Sequence, residues 1–155
     1  MNSDGDGVAD FTNPVIRGLP HGLHATNGLA VGPDGRLYIA LGSTCNDCLE
    51  RNASSASVLV FDPETSLLSI YASGLRNPFG LVFDPNGTLW ATDQGSQRPS
   101  ASPDELNVVR EGAHYGLPYC ATEDAAFPDA GPAVVHLGME TGAVGIAWFE
   151  SPVFA

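Results

Sequence analysis

Two segments of this chain match one another without a gap. Residues 28–40 align with residues 80–92 at an offset of 52 positions, and Gly145–Phe149 looks like a third start a further 65 positions on. Each start combines a glycine with a short apolar run, and the first two then turn at Pro-Asp-Gly or Pro-Asn-Gly before an aromatic-containing strand. A repeat of about 50 residues made of short strands is typical of a β-propeller blade.

The sequence around the two copies supplies further strands. A second hairpin is predicted from Ser57–Asp62 and Leu67–Ala72, and Glu105–Val109 gives a third strand after the second copy. The Pro- and Gly-rich stretch 116–133 is expected to replace a regular fourth strand there. The predicted fold class is therefore all-β, a propeller of four-stranded antiparallel blades of which about three are present. A generic β-sandwich of hairpins is the alternative, but it would not explain the repeat.

Three blades would form only part of a closed propeller, since propellers have about four to eight. The open edges predict that the chain is a piece of something longer, completed by the remainder of a propeller or by further copies in an oligomer. Residues 13–155 are predicted to form this partial propeller, and residues 1–12 a separate acidic segment.

The acidic segment places carboxylates at short intervals among glycines. Asp4, Asp6 and Asp10 are spaced as oxygen ligands are in a calcium loop, and Gly7 falls at the sixth position of that loop. The twelfth position holds Asn13, where such loops have a bidentate Glu. Two interpretations stay open, a calcium site and a solvated acidic linker.

The charge balance excludes some partners. The chain has 18 acidic residues against 6 basic ones, all of them Arg, and its formal net charge is −12. A nucleic-acid partner is excluded, because binding it requires cations that displace counterions from phosphates. An anionic membrane surface is disfavoured for the same reason. No apolar run reaches the roughly 18 residues of a membrane span.

The two neighbouring cysteines fit an exported protein, and the acidic composition without Lys favours export. Cys45 and Cys48 form a Cys-x-x-Cys that is followed by Leu49 and not by His, which excludes covalent haem attachment. A zinc site would need two more ligands at suitable spacing, and a small disulfide loop is the better interpretation. Cys120 is the third cysteine of the chain and is left over once Cys45 and Cys48 pair, so it is expected to pair with a residue outside the chain. We therefore predict a periplasmic or extracellular location, with no signal peptide among the residues given.

Two candidate catalytic residues stand just before the repeat starts. In a propeller the innermost strand begins near the central channel, so residues that precede it face the channel mouth. Arg76 lies there before the second start, and its planar guanidinium suits carboxylate or quinone oxygens. His24 takes the equivalent place before the first start and could accept a proton as a neutral imidazole. The structural alternatives are an Arg paired with an acid across blades and a His that only packs.

Five segments in order resemble the glucose/sorbosone dehydrogenase family, which includes soluble quinoprotein glucose dehydrogenases. They are Leu23–Tyr38, Gly42–Cys48, Gly74–Leu81, Asp104–Asn107 and Gly112–Cys120. The resemblance covers roughly residues 20–155 and implies a six-bladed propeller that uses pyrroloquinoline quinone (PQQ) and calcium. The Cys-x-x-Cys loop after Gly-Ser is more similar to the sorbosone-like branch of the family.

The resemblance also implies roles for single residues near the channel. His24 matches the general base that removes a proton from the sugar hydroxyl as hydride leaves carbon. Arg76 and Asn77 match the pair that contacts the quinone, with Arg76 polarising its reactive carbonyl. This division of labour is usual where a cofactor supplies the redox chemistry.

Metal ligands are implied in the same way. Gly95 and Ser96 match the backbone carbonyls that hold the calcium beside the cofactor, and Glu105 and Tyr115 match ligands of a second, structural calcium. The chain departs from the family pattern at Leu23, which replaces an Asp beside the base. Further departures are the longer loop 97–103 and two changes in the motif near Tyr115, His114 and Leu117.

The implied function is PQQ-dependent oxidation of an aldose or a sugar aldehyde such as sorbosone, with the electrons passed to a separate acceptor. Two other functions stay open. A calcium-dependent lactonase-type hydrolase would need a central metal held by carboxylate and amide side chains, which the Arg76-Asn77 pair does not provide. A non-catalytic binding scaffold predicts that His24 and Arg76 do not converge on one face.

Overall fold

The computed structural model describes residues 4–96, 102–119 and 133–151. Within these ranges the secondary structure consists of eight strands and no helix. The strands are β1 (Thr26–Val31), β2 (Leu37–Leu41), β3 (Ser57–Asp62), β4 (Leu67–Ser73), β5 (Pro78–Phe83), β6 (Leu89–Asp93), β7 (Asp104–Val109) and β8 (Val135–Gly138). A helix capable of crossing a membrane is likewise absent from the described part of the chain.

The strands form two four-stranded sheets in the order of the sequence, β1-β2-β3-β4 and β5-β6-β7-β8. Every neighbouring pair is antiparallel. Leu29 pairs with Ile39 in the first sheet, and Leu81 pairs with Ala91 in the second, so both partners are displaced by the 52 positions of the repeat. The predicted all-β fold of four-stranded antiparallel blades is confirmed.

The fourth strand of the second blade corrects one prediction. Residues 116–133 were expected to take the place of a regular fourth strand. A fourth strand, β8, is nevertheless present just after this stretch, and it pairs with β7 through Glu105–His136 and Leu106–Val135. The first blade joins its last two strands by a turn of a few residues, whereas the chain between β7 and β8 runs from 110 to 134. Because this connection is so much longer, β8 does not lie at the position that the 52-residue repeat predicts for a fourth strand.

The repeat glycines bring neighbouring blades into contact. A Cβ built on Gly28 would overlap the carbonyl oxygen of Phe79, and one built on Gly80 would lie 2.6 Å from the carbonyl oxygen of Val144. Phe79 and Val144 each precede a repeat start by one residue. The segment at the third repeat start therefore packs against the second blade in the same way as the second blade packs against the first. Residues 143–151 themselves form no strand.

The core lies on both faces of the first blade, because side chains alternate along β2. Tyr38 and Ala40 face a cluster shared with the second blade, which includes Leu75, Leu81, Leu89, Ala91 and Val109. Ile39 and Leu41 face the opposite side. There they pack with Leu59 and Phe61, and the segment before β1 covers them with Ile16 and Leu19.

A stretch of the second blade also crosses to the edge of the first. After β7 the chain runs alongside the end of β4, where the amide of Gly112 donates to Tyr71 at 2.8 Å and the amide of Tyr115 donates to Ser73 at 2.8 Å. A parallel bridge joins Ser73 and His114. The free edge of β4 is covered at this point by backbone that belongs to the next blade.

Candidate active site

A cavity of about 410 Å³ opens where the two blades meet. It is lined by Leu23, His24, Asn46, Arg76, Gln94, Gly95, Ser96, Asp104, Glu140 and Gly142. Most of these residues lie just outside strand ends, in the segments that precede β1, join β2 to β3, β4 to β5 and β6 to β7, and follow β8. In the part of the chain that the structure describes, Arg76 is the only Arg among the lining residues.

Arg76 is held at both its backbone and its guanidinium. Its carbonyl accepts a hydrogen bond from the amide of Ser43 at 2.9 Å. Nη1 donates to the carbonyl oxygens of Gln94 at 3.1 Å and Gly95 at 2.7 Å, while Nη2 donates to the side-chain oxygen of Asn46. Nε is buried and has no hydrogen-bond partner among the described residues. The guanidinium is therefore oriented by the protein, and its Nε–H has no partner among the described residues.

Asp93, at the end of β6, fixes the backbone that carries Arg76 and Asn77. One carboxylate oxygen accepts the amide of Arg76 at 3.0 Å and the other accepts the amide of Asn77 at 2.7 Å. Burial raises the pKa of Asp93 to about 7, against the opposing effect of these hydrogen bonds. The Asn77 side chain is buried as well, and it bonds Asn27 at 2.8 Å and Gln94 at 2.6 Å.

His24 lines the same cavity and lies two residues before the start of β1. Its amide donates to Ser43 at 3.0 Å, which continues the pairing of β1 with β2 beyond the strands. Nε2 is buried, and no described residue bonds it. Burial lowers the pKa of His24, and the positive charge of Arg76 lowers it further. The imidazole is thus neutral and able to accept a proton at neutral pH.

Asp104 joins the loop after β6 to the segment after β8. Its carboxylate accepts the amides of Gly95 at 3.0 Å and Ala143 at 2.9 Å and the hydroxyl of Thr141 at 2.9 Å. Burial raises the pKa of this carboxyl, but the hydrogen bonds outweigh that effect and hold the pKa below its usual range. A carboxylate so fully bonded supports the walls of the cavity.

The structure brings together most of the channel residues that the sequence predicted. His24, Arg76, Gly95 and Ser96 line the one cavity, and Asn77 lies behind Arg76. Leu23 also lines it and is 62% exposed.

The other predicted residues lie elsewhere or stay predictions. Glu105 and Tyr115 are not among the residues that line the cavity. Glu105 contacts His136 at 3.7 Å, and the Tyr115 hydroxyl donates to the carbonyl of Val108 at 2.6 Å. A calcium role for either residue stays a prediction. Cys120 and most of loop 97–103 lie outside the described residues.

The N-terminal acidic residues do not gather around one point. Asp4 and Asp6 accept the backbone amides of Asp6 and Val8, at 3.2 Å and 2.7 Å. Among the described residues, the only group of three metal-ligating side chains within 4.8 Å is Cys45, Cys48 and Glu50. Cys45 and Cys48 are joined in a disulfide, as the sequence predicted, and no longer offer thiolates. A calcium site at Asp4, Asp6 and Asp10 stays a prediction.

Several residues of the site were missed in the sequence. Asn46, Gln94 and Asp104 line the cavity, and Asp93 supports it. Gln94 and Asp93 stand beside Gly95 in the sequence, and Asn46 stands between the two cysteines, so a wider window around those motifs would have included them.

The family model for glucose/sorbosone dehydrogenases matches residues 12–127. The chain belongs to this family. Quinoprotein glucose dehydrogenase B of Acinetobacter calcoaceticus is 46% identical over 140 aligned residues, which cover 69% of this chain and 28% of that protein.

Solved structures agree with the family in fold. The PQQ-bound aldose sugar dehydrogenase of Streptomyces coelicolor superposes with a TM-score of 0.72 at 27% identity, over 86% of this chain and 42% of that one. An oxidoreductase (glucose dehydrogenase) of Thermus thermophilus gives a TM-score of 0.66 at 27% identity, over 76% of this chain and 41% of that one. The chain thus spans less than half the length of each of these relatives.

Proposed function

We propose that the protein to which this chain contributes oxidises an aldose, or a sugar aldehyde such as sorbosone, with PQQ as cofactor. One observation carries the proposal: His24 and Arg76 line the same cavity, and each has a buried nitrogen, Nε2 and Nε, that no described residue bonds. Buried polar atoms are normally satisfied, so two such atoms in residues that line one cavity favour a polar ligand there. Their convergence also weighs against a passive scaffold.

His24 is suited to act as the base. Its neutral imidazole has Nε2 available, and its backbone is fixed by Ser43. In this proposal Nε2 takes the proton of the sugar hydroxyl. PQQ, when bound, supplies the chemistry that His24 and Arg76 lack, the acceptance of a hydride from the sugar carbon.

Arg76 is suited to hold the reactive end of the cofactor. Its guanidinium is already oriented by carbonyl oxygens of the loop after β6, so little side-chain entropy is lost on binding. The Nε proton has no partner among the described residues, and in this proposal it bonds a quinone oxygen. Asn77 adds rigidity behind it through its bonds to Asn27 and Gln94.

Calcium is part of the proposal through Gly95 and Ser96. Both residues line the cavity, and the Gly95 carbonyl oxygen accepts a hydrogen bond from Arg76 Nη1 through one of its lone pairs. Carbonyl oxygens are ligands that calcium accepts, and each has a second lone pair.

The remainder of the protein completes the site in this proposal. It would bring the cations that grip the carboxylates of PQQ, and the electrons would pass to a separate acceptor. The disulfide between Cys45 and Cys48 supports a periplasmic or extracellular location, since such bonds persist in oxidising compartments.

The test compares two substitutions in the full-length protein loaded with PQQ and calcium. His24→Ala should lower turnover by about 10² to 10⁴, the usual contribution of a general base, and leave PQQ affinity nearly unchanged. Arg76→Ala should lower both. His21→Ala is the matched control, because His21 is exposed and lies outside the cavity lining. Loss of stability in His24→Ala with unchanged turnover per folded molecule would make His24 a packing residue.

A further inference from the structure

The loop closed by the disulfide forms one wall of the cavity. Cys45 and Cys48 enclose only Asn46 and Asp47. Both enclosed side chains reach across to other elements: Asn46 accepts Arg76 Nη2, and Asp47 accepts the hydroxyl of Ser96 at 3.4 Å. The tip of this loop therefore touches two of the residues assigned to the site.

The base of the same loop is fixed by hydrogen bonds of its own. Glu50 accepts both the amide and the hydroxyl of Thr44, each at 2.6 Å. The hydroxyl of Ser43 donates to the carbonyl of Cys45 at 2.6 Å, and the amide of Cys48 donates to the sulfur of Cys45 at 3.0 Å. With the disulfide, these bonds leave the loop few conformations.

Arg76 is held from two sides as a result. The loop after β6 bonds only Nη1, through two backbone carbonyls, and the disulfide loop bonds only Nη2, through Asn46. A planar guanidinium bonded at one terminal nitrogen alone can pivot about that contact. A second bond at the other terminal nitrogen fixes the plane and with it the direction of Nε.

We propose that Asn46 is a positioning residue for Arg76, and that the Cys45–Cys48 disulfide keeps Asn46 within reach of the guanidinium. The consequence for a ligand rests on the proposed function: the plane of the guanidinium, and with it the direction of Nε, stays fixed only while Nη2 is held. Without the disulfide, ordering Asn46 would cost loop entropy each time the contact formed. The contact itself needs no cofactor and can be observed in the chain alone.

The first test follows the Arg76 Nε–H signal by ¹H–¹⁵N NMR in the 155-residue chain, whose six Arg residues can be assigned by loss of one signal in Arg76→Lys. Asn46→Ala should raise the rate of exchange of this proton with water about tenfold, the effect of losing one hydrogen bond to a charged group. Asn46→Asp retains an accepting oxygen and adds a negative charge, so it should keep the rate at or below the original. Asn86→Ala, at an exposed site in the β5–β6 turn, is the control.

The second test removes the disulfide. Cys45→Ser combined with Cys48→Ser should raise the exchange rate as Asn46→Ala does, while the dispersion of the backbone amide signals shows that the blades stay folded. An unchanged rate in Asn46→Ala would overturn the positioning role. An increase in Asn46→Ala but not in the double Ser variant would overturn the role of the disulfide. If the double variant does not fold, Asn46→Ala and Asn46→Asp decide the positioning role by themselves.

The third test connects the contact to the ligand in the full-length protein. Asn46→Ala should weaken PQQ binding about tenfold in a titration followed by PQQ absorbance, with Asn86→Ala unchanged. Unaltered PQQ affinity in Asn46→Ala would overturn the link to the ligand. Failure of the unsubstituted protein to bind PQQ would instead refute the proposed function, and the exchange rates would still decide the positioning role.

Discussion

Asp93→Asn should remove a pH-dependent loss of stability that this buried carboxyl imposes on the fold. The side chain is 8% exposed, and burial raises its pKa to about 7 from an ordinary value of 3.8. The folded chain therefore holds the Asp93 proton more tightly than the unfolded chain does. Stability from this group is fully present below about pH 4 and is lost as the pH rises toward 7.

The magnitude follows from the size of the pKa shift. Each pH unit well inside the interval between the unfolded and folded pKa values costs about 1.4 kcal/mol, and less near its ends, so raising the pH from 5 to 7 should cost about 2.3 kcal/mol through Asp93 alone. Asn cannot ionise, and the variant escapes this loss. It gives up instead one of the two backbone hydrogen bonds, because an amide has one accepting oxygen where the carboxylate offers one oxygen to Arg76 and one to Asn77.

The assay is urea unfolding of both proteins at pH 5, 6, 7 and 8. The free energy of unfolding of the original chain should fall relative to Asp93→Asn by about 2.5 kcal/mol between pH 5 and 8, and most of the change should come below pH 7. Other titrating groups, His24 among them, cancel in this difference. Parallel pH profiles, or a relative gain in stability with rising pH, would refute the reasoning and mean that the two amide donors outweigh burial.

Three further outcomes are expected. Gly80→Ala should lower the free energy of unfolding in the urea assay by about 1–3 kcal/mol, because the new Cβ would lie 2.6 Å from the Val144 carbonyl oxygen. Gly145→Ala is the control and should be nearly neutral, because nothing lies within 4 Å of its new Cβ. Turnover of the full-length protein should persist below pH 6.5 and decline only as the pH falls through the lowered pKa of His24; a pH profile with its acid midpoint above 6.5 would contradict this. The 155-residue chain alone should bind PQQ orders of magnitude more weakly than the full-length protein, because Arg76 is the only Arg among the described residues that line the cavity. Nanomolar binding of PQQ by this chain in an absorbance titration would contradict this prediction.

The parts of the fold that repeat were the parts that the sequence could predict. The turn glycines and apolar alternation located β1, β2, β5 and β6, because hairpin geometry is set by neighbours in the chain. β8 was missed, since its pairing with β7 depends on a long connection and not on a local turn.

The residues of the candidate site also differ in how far the sequence could predict them. His24 and Arg76 could be found from their place before the repeat starts. Asn46 and Asp93 lie within or beside the quoted motifs, but their roles could not be assigned from sequence, because their bonds to Arg76 span 30 and 17 positions of the chain. Which loop folds over which strand end depends on packing between blades, and neither residue spacing nor composition encodes that directly.

The backbone that crosses from the second blade to β4 has a consequence for how the protein is made. Ribosomes add about 5–20 residues per second, so roughly 2–8 s pass between the emergence of Tyr71 and that of Gly112, which bonds it. During that interval β1–β4 can pair with one another while the outer edge of β4 lacks this cover. An uncovered strand edge is a template for pairing with another chain, so the nascent first blade is the stage at which the protein would most benefit from a chaperone.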